Sequence, residues 1–174
     1  MIYKELVQIG DPRLTQEMRQ VMDFKDKKLQ ALLEELKENL YQHELVGLAA
    51  NQIGSNYKVF VTEVRKTLYR NPEKTDPFRV FINPVIVSLS KNVNEVFEGC
   101  GSVAYSGLFA PVVRPESVTL QAYDENGKSF EYSADGLLAR VIQHEIDHLN
   151  NIEFVTRVSN WSKAMSSGEY RKLF

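Results

Sequence analysis

Residues 143–148 read Gln-His-Glu-Ile-Asp-His, and they fall in a segment, about residues 133–149, that predicts an α-helix. Side chains at positions i and i+4 of a helix lie on the same face, so His144 and His148 can bind one metal ion together. Glu145 is adjacent to the first histidine, where its carboxylate can reach a water at the ion. The segment therefore predicts a metal site on a helix.

Apolar neighbours support this interpretation. Leu137 and Val141 lie on the same helix face as His144 and would line the site with apolar surface. Such a wall excludes water and strengthens the electrostatic interactions inside a site. The alternative is a pair of ordinary helix histidines, one half-exposed and one in the core. Because the chain contains only 3 histidines, two at this spacing around a glutamate favour the metal site.

A catalytic ion needs a third protein ligand besides the two histidines. The extended metalloprotease pattern would place a histidine where this chain has Phe154, and no recognisable motif surrounds the later carboxylates, Glu153 and Glu169. The remaining soft ligand is Cys100, the only cysteine. Glycines on both sides let its backbone approach an ion closely. A buried, inert side chain is nevertheless the common state of a lone intracellular cysteine.

The predicted helix also carries a charge that needs a partner. Asp147 lies beside the second histidine on a helix that we expect to be buried. A buried carboxylate is costly unless an opposite charge compensates it. We expect Arg114 to supply that charge.

The rest of the chain predicts an α+β fold. Leucines recur at helical spacing on one face of residues 26–43, with Lys and Glu opposite, which indicates an amphipathic N-terminal helix. Segments rich in β-branched or aromatic residues predict strands at 58–64, 79–82, 85–89, 117–123 and 129–132. The last two flank residues 124–128, whose Asn-Gly pair predicts a β-hairpin. A helix, then strands, then a helix favours α+β over a parallel βαβ architecture.

Composition limits the class of protein. The chain has 174 residues, a formal net charge of −2, and 43% hydrophobic and 25% charged residues, which is ordinary for one domain spanning residues 1–174. We expect no membrane segment, because the apolar runs are short and charges in residues 1–20 exclude a secretory signal. The charge does not indicate DNA binding. A single cysteine fits a reducing compartment, so a cytoplasmic location is expected.

Two further segments complete the pattern. Residues 47–52 read Gly-Leu-Ala-Ala-Asn-Gln, and residues 98–103 read Glu-Gly-Cys-Gly-Ser-Val. Singly, each is consistent with an ordinary connection or strand end. Together with residues 143–149 they resemble the peptide deformylase family, which carries GLAAxQ, EGCxS and QHExDHL boxes in this order. Asn83-Pro84 and the Asp-Pro-Arg-Leu sequence at residues 11–14 extend the resemblance.

The resemblance implies an activity and the residues that perform it. The chain would remove the N-terminal formyl group from formyl-methionyl peptides of nascent proteins and release formate. One divalent ion is implied, Fe2+ first, with Ni2+, Co2+ or Zn2+ as alternatives, whereas the spacing alone favours zinc. The implied fold has partly barrel-like antiparallel strands around a central metal-binding helix. The implied ligands are Cys100, His144 and His148, and the implied catalytic groups are Glu145 as acid and base and Gln52 and the Gly101 N–H as donors to the formyl oxygen.

The resemblance also implies how the N-formylmethionyl peptide binds. The peptide would add as a strand along residues 46–47 and 100–103, with its methionine in an apolar pocket. The residues implied are Val46, Gly47, Val103, Leu137 and Val141. Simple core packing is the alternative for the apolar ones. The tail has a modest basic excess, which allows contact with the ribosome near its exit tunnel, although a solvated tail is the simpler explanation. Its charged residues are Arg157, Lys163, Arg171 and Lys172 against Glu169.

Four positions depart from the family pattern. Leu45 replaces a glycine before the first box, Gly101 replaces a leucine after the cysteine, and Asn151 replaces a glycine after the third box. Gly107 stands where an arginine would help to hold the peptide. The segment 103–111 resembles a divergent branch that includes mitochondrial-type deformylases. These differences bear on substrate preference and rate more than on metal binding.

Two other functions are consistent with parts of the sequence. A zincin-type endopeptidase rests on the His-Glu-x-x-His motif alone and leaves Cys100 and Gln52 unexplained. A catalytically weak paralogue, acting as a metal-stabilised peptide-binding module, rests on Gly101 and the segment that follows it. The presence of Glu145 argues against that second alternative.

Overall fold

The structure is a computed structural model that describes residues 4–67 and 70–173. Its first long element is the N-terminal helix. Helix α1 (Lys27–Gln42) begins at Asp26, whose side chain accepts a hydrogen bond from the Lys28 N–H. This bond satisfies one of the N–H groups left free at a helix start. The buried face consists of Leu29, Leu32, Leu33, Leu36, Asn39 and Leu40. The predicted amphipathic helix is confirmed.

The strands form two antiparallel sheets, which gives a mixed α+β fold. The strands of the described residues are β1 (Gly47–Ala49), β2 (Val59–Val64), β3 (Asp76–Leu89), β4 (Val93–Gly99), β5 (Leu108–Pro115), β6 (Ser117–Tyr123), β7 (Ser129–Asp135) and β8 (Met165–Ser166). The larger sheet has the order β1-β2-β3-β6-β7, and the smaller has the order β4-β5-β8. The predicted hairpin is the β6–β7 pair, in which Ser117 faces Asp135 and Tyr123 faces Ser129.

Helix α2 (Gly136–Leu149) follows β7 and contacts strands of both sheets: β1, β2, β6 and β7 of the larger and β5 of the smaller. A short helix, α3 (Ser167–Tyr170), lies near the end of the chain. None of the helices within residues 4–67 and 70–173 is long and apolar enough to cross a membrane.

The larger sheet is buried on both faces near β2. Val59 and Val61 pack in one core cluster with leucines of α1, whereas Phe60 packs in a second cluster with Ile142 and Ile146 of α2. Successive side chains of a strand point to opposite faces, so both helices can cover the same strand. This double burial explains why residues 59–61 of β2 are all apolar and do not alternate with polar residues.

Strand β3 differs from the prediction of two separate strands at residues 79–82 and 85–89. Asn83 has φ of 51° and sits at a register shift between Ile82 and Val85. Its side chain accepts a hydrogen bond from the Val21 N–H at 2.9 Å and donates one to the Val21 carbonyl at 2.8 Å. These bonds hold the irregular residue inside one continuous strand, so the Asn-Pro pair makes a bulge and not a break.

Asn151 shows why the family pattern carries a glycine after the third box. The residue follows α2 with φ of 60°, in the left-handed region that strongly favours glycine. Asparagine is the residue that most readily replaces glycine in this conformation at a helix end. The departure at this position is therefore conformationally conservative.

Candidate metal centre

Potential ligand atoms of three residues converge between the end of β4 and helix α2. Cys100 directly follows β4, and His144 and His148 lie on α2. One ligand atom of each lies within 4.8 Å of the others, and the Cys100 Sγ is 3.2 Å from the His148 Nε2. An ion bonds thiolate at about 2.3 Å and imidazole at about 2.0–2.1 Å. One divalent transition-metal ion therefore fits this donor set.

The position of Cys100 depends on its neighbours in the chain. A Cβ at Gly99 would lie 2.7 Å from the Phe109 ring on the paired strand, so only glycine fits without displacing that ring. The Val103 N–H donates to the Cys100 carbonyl at 3.0 Å, and the Ser102 N–H donates to its Sγ at 3.4 Å. The sulfur is therefore held in a turn at the end of β4, and Cys100 is buried.

Glu98 contacts the Nδ1 side of the His144 ring. Its Oε2 is 3.0 Å from the His144 Nδ1. Arg114 donates to the same carboxylate from Nε at 2.6 Å and from Nη2 at 3.0 Å, and Arg140 donates from Nη1 at 2.6 Å. Glu98 and both arginines are buried. An Nδ1–H bound to a carboxylate leaves the other ring nitrogen available for an ion and fixes the orientation of the ring.

Asp147 connects this network to the segment after α2. Arg114 donates from Nη1 to the Asp147 carboxylate at 2.8 Å, so the predicted pair is confirmed. Arg157 donates to the same group from Nη2 at 2.7 Å and from Nε at 3.2 Å. Arg114 therefore bridges Glu98 and Asp147 and shares the compensation of these two buried carboxylates with Arg140 and Arg157.

Burial and hydrogen bonding shift the pKa values of these groups. Burial alone would raise the pKa of Glu98, but hydrogen bonds from His144 and Arg114 lower it. Burial alone would lower the pKa of His144, but hydrogen bonds with Cys100 and Glu98 raise it well above its ordinary value. Burial lowers the pKa of His148 well below its ordinary value. A histidine ligand must be neutral. The lowered pKa of His148 favours the neutral imidazole, whereas the raised pKa of His144 opposes it.

Glu145 lies inside the protein next to the ligand cluster. It is buried, and its Oε2 has no hydrogen-bond partner among the described residues. Burial raises the pKa of its carboxyl to about 7. A carboxyl with a pKa in this range can both accept and donate a proton near neutral pH.

Gln52 directs its amide nitrogen at the same place. Its Oε1 accepts a hydrogen bond from the Ala49 N–H at 2.8 Å, which fixes which end of the amide points inward. The Nε2 lies 3.6 Å from the Cys100 Sγ and 3.3 Å from the Ser102 Oγ. The amide is therefore a preorganised donor at the edge of the ligand cluster.

Gly101 explains a second departure from the family pattern. A Cβ at Gly101 would lie 2.6 Å from the Leu6 Cδ1 and 3.4 Å from the Leu45 Cδ1. Leucine side chains from two other segments thus occupy the space that a side chain at position 101 would need. The Gly101 carbonyl accepts a hydrogen bond from the Gln8 Nε2 at 3.0 Å, which anchors this backbone. The unusual residues at positions 45 and 101 are therefore packed against each other.

The predicted substrate-pocket residues differ in exposure. Val103 and Val141 are buried, Val46 is partly buried, and Leu137 is 38% exposed. Gly47 lies against α2, since a Cβ there would meet the Glu145 Oε1 and lie 2.6 Å from the Val141 Cγ1. The structure therefore brings Gly47 and Val141 together beside Glu145, with Leu137 farther towards solvent.

Sequence reasoning missed the partners of the ligands. It did not assign roles to Glu98, Arg140 or Arg157, and it considered Glu153 only as a ligand. Arg140 carried a usable signal, because it lies one helical turn before His144 on the buried face of α2. Glu98 is the first residue of the EGCxS box, but its role as a partner of His144 could not be derived from that position. Arg157 and Glu153 gave no signal, since their contacts depend on how the chain turns after α2.

Comparison with known proteins identifies the family. The family model described as polypeptide deformylase matches residues 3–164. A peptide deformylase of Agrobacterium fabrum is 36% identical over 172 residues, which cover 99% of this chain and 96% of that protein. The crystal structure of a peptide deformylase from Synechococcus elongatus in complex with actinonin is 36% identical, with a TM-score of 0.79, covering 91% of this chain and 80% of that one.

A further solved structure agrees in fold. The Met-Ala-Ser-bound class I type b peptide deformylase from Acinetobacter baumannii is 27% identical, with a TM-score of 0.82, covering 90% of this chain and 99% of that one. The family model spans most of the sequence, and the match to the Agrobacterium relative covers almost the whole of both proteins. This chain therefore belongs to the polypeptide deformylase family.

Proposed function

We propose that this chain removes the formyl group from N-formylmethionyl peptides of nascent proteins and releases formate. The observation that carries the proposal is the convergence of the Cys100 thiol, two imidazoles, a buried carboxyl and the Gln52 amide in one place. Family membership supports the same reaction.

We assign the metal ligands as Cys100, His144 and His148. A divalent ion held there supplies a Lewis acid that acidifies water and polarises a carbonyl oxygen. Glu145 accepts the proton of the attacking water and later delivers it to the departing α-amine. Its burial and its pKa of about 7 suit both roles.

The proposed oxyanion donors are the Gln52 Nε2 and the Gly101 N–H. They would bind the formyl oxygen as negative charge develops on it. The loss of one such donor typically costs about 3–4 kcal/mol of transition-state stabilisation. The bond that fixes the Gln52 Oε1 to the Ala49 N–H supports the assignment, because the amide needs no reorientation during the reaction.

We propose that the peptide adds to β1 as a strand. β1 is an edge strand of the larger sheet and pairs with β2 on one side only, so its other edge can receive a peptide backbone. The methionine side chain would then lie in a pocket formed by Val46, Gly47, Val103, Leu137 and Val141.

Gly47→Ala is expected to lower kcat/KM for a formylated peptide by about 100-fold. The added methyl would collide with the Glu145 carboxylate and with Val141, which must displace the proton-transfer group by roughly 1 Å. Steady-state kinetics with matched metal content measure the effect. Gly168→Ala is a control for replacing a glycine, because within 4 Å its Cβ would meet the Ser166 Oγ alone among the described residues, at an ordinary contact distance of 3.8 Å. Equal kcat/KM for the two variants would contradict the proposed role of Gly47.

The finer features of the fold and setting are also proposals. We propose that residues 1–174 form one deformylase-like domain whose strands make an incomplete barrel around α2 as the central helix; contacts of α2 with both sheets support this. Three statements about the setting stay predictions: a cytoplasmic location without direct DNA or membrane binding, contact with the ribosome near its exit tunnel, and the grouping with the mitochondrial-like branch.

Fe2+ is the proposed native ion, with Ni2+, Co2+ and Zn2+ as alternatives. Anaerobic purification followed by elemental analysis identifies the ion.

The test of the function is formate release from formyl-Met-Ala-Ser by the protein purified under anaerobic conditions with Fe2+. We expect formate to appear in equal amount with free Met-Ala-Ser, while internal amide bonds stay intact. Cleavage of an internal amide without formate would support the zincin-type endopeptidase. Binding of the peptide with no formate above the level of a Glu145 variant would support the weak paralogue acting as a binding module.

A further inference from the structure

Glu153 is a buried carboxylate whose role the proposed reaction does not explain. It follows α2 and precedes the 3-10 turn at residues 154–157. The residue is 8% exposed, and both carboxylate oxygens are buried without a hydrogen-bond partner among the described residues. An uncompensated buried carboxylate destabilises a fold. Its presence at this position therefore calls for a functional reason.

The group that faces Glu153 is the second ligand histidine. The His148 Nδ1 is also buried without a hydrogen-bond partner in the described parts of the chain, and it lies 3.9 Å from the Glu153 Oε2. The other ring nitrogen, Nε2, is 3.2 Å from the Cys100 Sγ. The imidazole thus lies between the sulfur on one side and an unused carboxylate on the other.

The placement of Glu153 beside His148 resembles the placement of Glu98 beside His144. The His144 Nδ1 is 3.0 Å from a Glu98 oxygen, and Glu98 has additional arginine partners. Glu153 occupies the corresponding position behind His148 but lacks arginine partners among the described residues. Its separation from the ring exceeds a normal N–H···O distance by about 1 Å, so the proposed hydrogen bond requires the glutamate side chain to move by about that distance.

We propose that Glu153 is a positioning residue that accepts a hydrogen bond from the His148 Nδ1–H and thereby holds Nε2 towards the metal. A carboxylate in this position selects one tautomer, fixes the ring and makes the imidazole a better donor to the ion. Glu153 is not itself a ligand, because its oxygens lie at the Nδ1 side of the ring and outside the cluster formed with Cys100 and His144.

This inference rests on the proposed metal site. The test compares the metal affinities of Glu153→Leu, Glu153→Gln and the wild-type protein. Co2+ affinity is measured by competition with a chromophoric chelator. We expect Glu153→Leu to bind Co2+ about 10- to 100-fold more weakly. Glu153→Gln should fall between, because its amide oxygen can still accept the hydrogen bond but carries no charge. Glu169→Gln, at an exposed pair with Lys172, controls for the loss of a negative charge.

A second readout separates positioning from a purely structural role. The metal-free Glu153→Leu protein should melt at the wild-type temperature or higher, because the substitution removes a buried carboxylate that has no hydrogen-bond partner in the described parts of the chain. Weaker metal binding together with unchanged or greater metal-free stability would support the proposal. Co2+ affinities of both variants within about twofold of wild type, far below the usual loss, would overturn it. If the Leu variant does not fold, the Gln variant decides by the same criterion.

Failure of this inference is distinguishable from failure of the proposed function. A wild-type protein that binds no Co2+ would contradict the metal site itself. A wild-type protein that binds Co2+ as tightly as its Glu153 variants leaves the metal site intact and removes only the role of Glu153.

Discussion

Glu145→Gln is expected to slow formate release from formyl-Met-Ala-Ser by about 100- to 10,000-fold, the usual contribution of a positioned acid–base group. Glutamine has nearly the same shape as glutamate but cannot carry the proton between the water and the departing amine. Glu145 is buried beside Gly47 and the ligand cluster. Glu98, which contacts His144, is already bound by two arginines, so we expect no substitute base.

The measurement is kcat/KM at matched metal content, determined by elemental analysis of each preparation. The exposed Glu131→Gln is a control of identical chemistry, because its side chain contacts Gln121 on the surface of the β6–β7 pair. Retention of more than about a tenth of wild-type kcat/KM by Glu145→Gln, well outside the range for a general base, would remove the proposed acid–base role.

Arg114→Met is expected to lower the free energy of unfolding by about 3–5 kcal/mol, the usual effect of removing one partner from a buried ion pair. Arg114 makes two hydrogen bonds with Glu98 and one with Asp147. Methionine keeps the apolar stem. Among the described residues, it leaves Glu98 with Arg140 and His144, and Asp147 with Arg157.

Urea denaturation at a fixed metal concentration measures this loss, because bound metal contributes to the apparent stability. Arg157→Met is the matched control. Arg157 binds the same Asp147 carboxylate, but its side chain is 45% exposed, so its removal should cost less than about 1 kcal/mol. Equal losses for the two variants would show that burial of Arg114 does not determine the strength of the network.

The elements with a regular hydrophobic pattern could be predicted from the sequence. The leucines of α1 and the Asn-Gly turn between β6 and β7 are local signals, and the structure places both elements as expected. The continuity of β3 could not be predicted, since Asn83 is held in the strand by hydrogen bonds to Val21, a residue far away in the sequence. Local turn chemistry predicts a break where a tertiary contact makes a bulge.

Some residues of the site could be predicted from the sequence, and others could not. The two histidines could be paired from helix geometry alone. Cys100 could not be distinguished from an inert buried cysteine without the resemblance, because nothing local shows which segment its sulfur meets. Glu153 could not be placed either: its position next to the Nδ1 side of His148 depends on how the chain turns after α2.

The distance along the chain between the ligands sets the order in which the site can assemble. The two imidazoles come together as soon as α2 forms, but the sulfur is 48 residues away from His148, and Gln52 is a further 48 residues before the sulfur. Contacts that close such long loops form late in folding, since their entropic cost precedes their gain. A partly folded chain therefore offers an incoming ion at most an imidazole pair, and tight uptake of metal must wait for the finished tertiary structure.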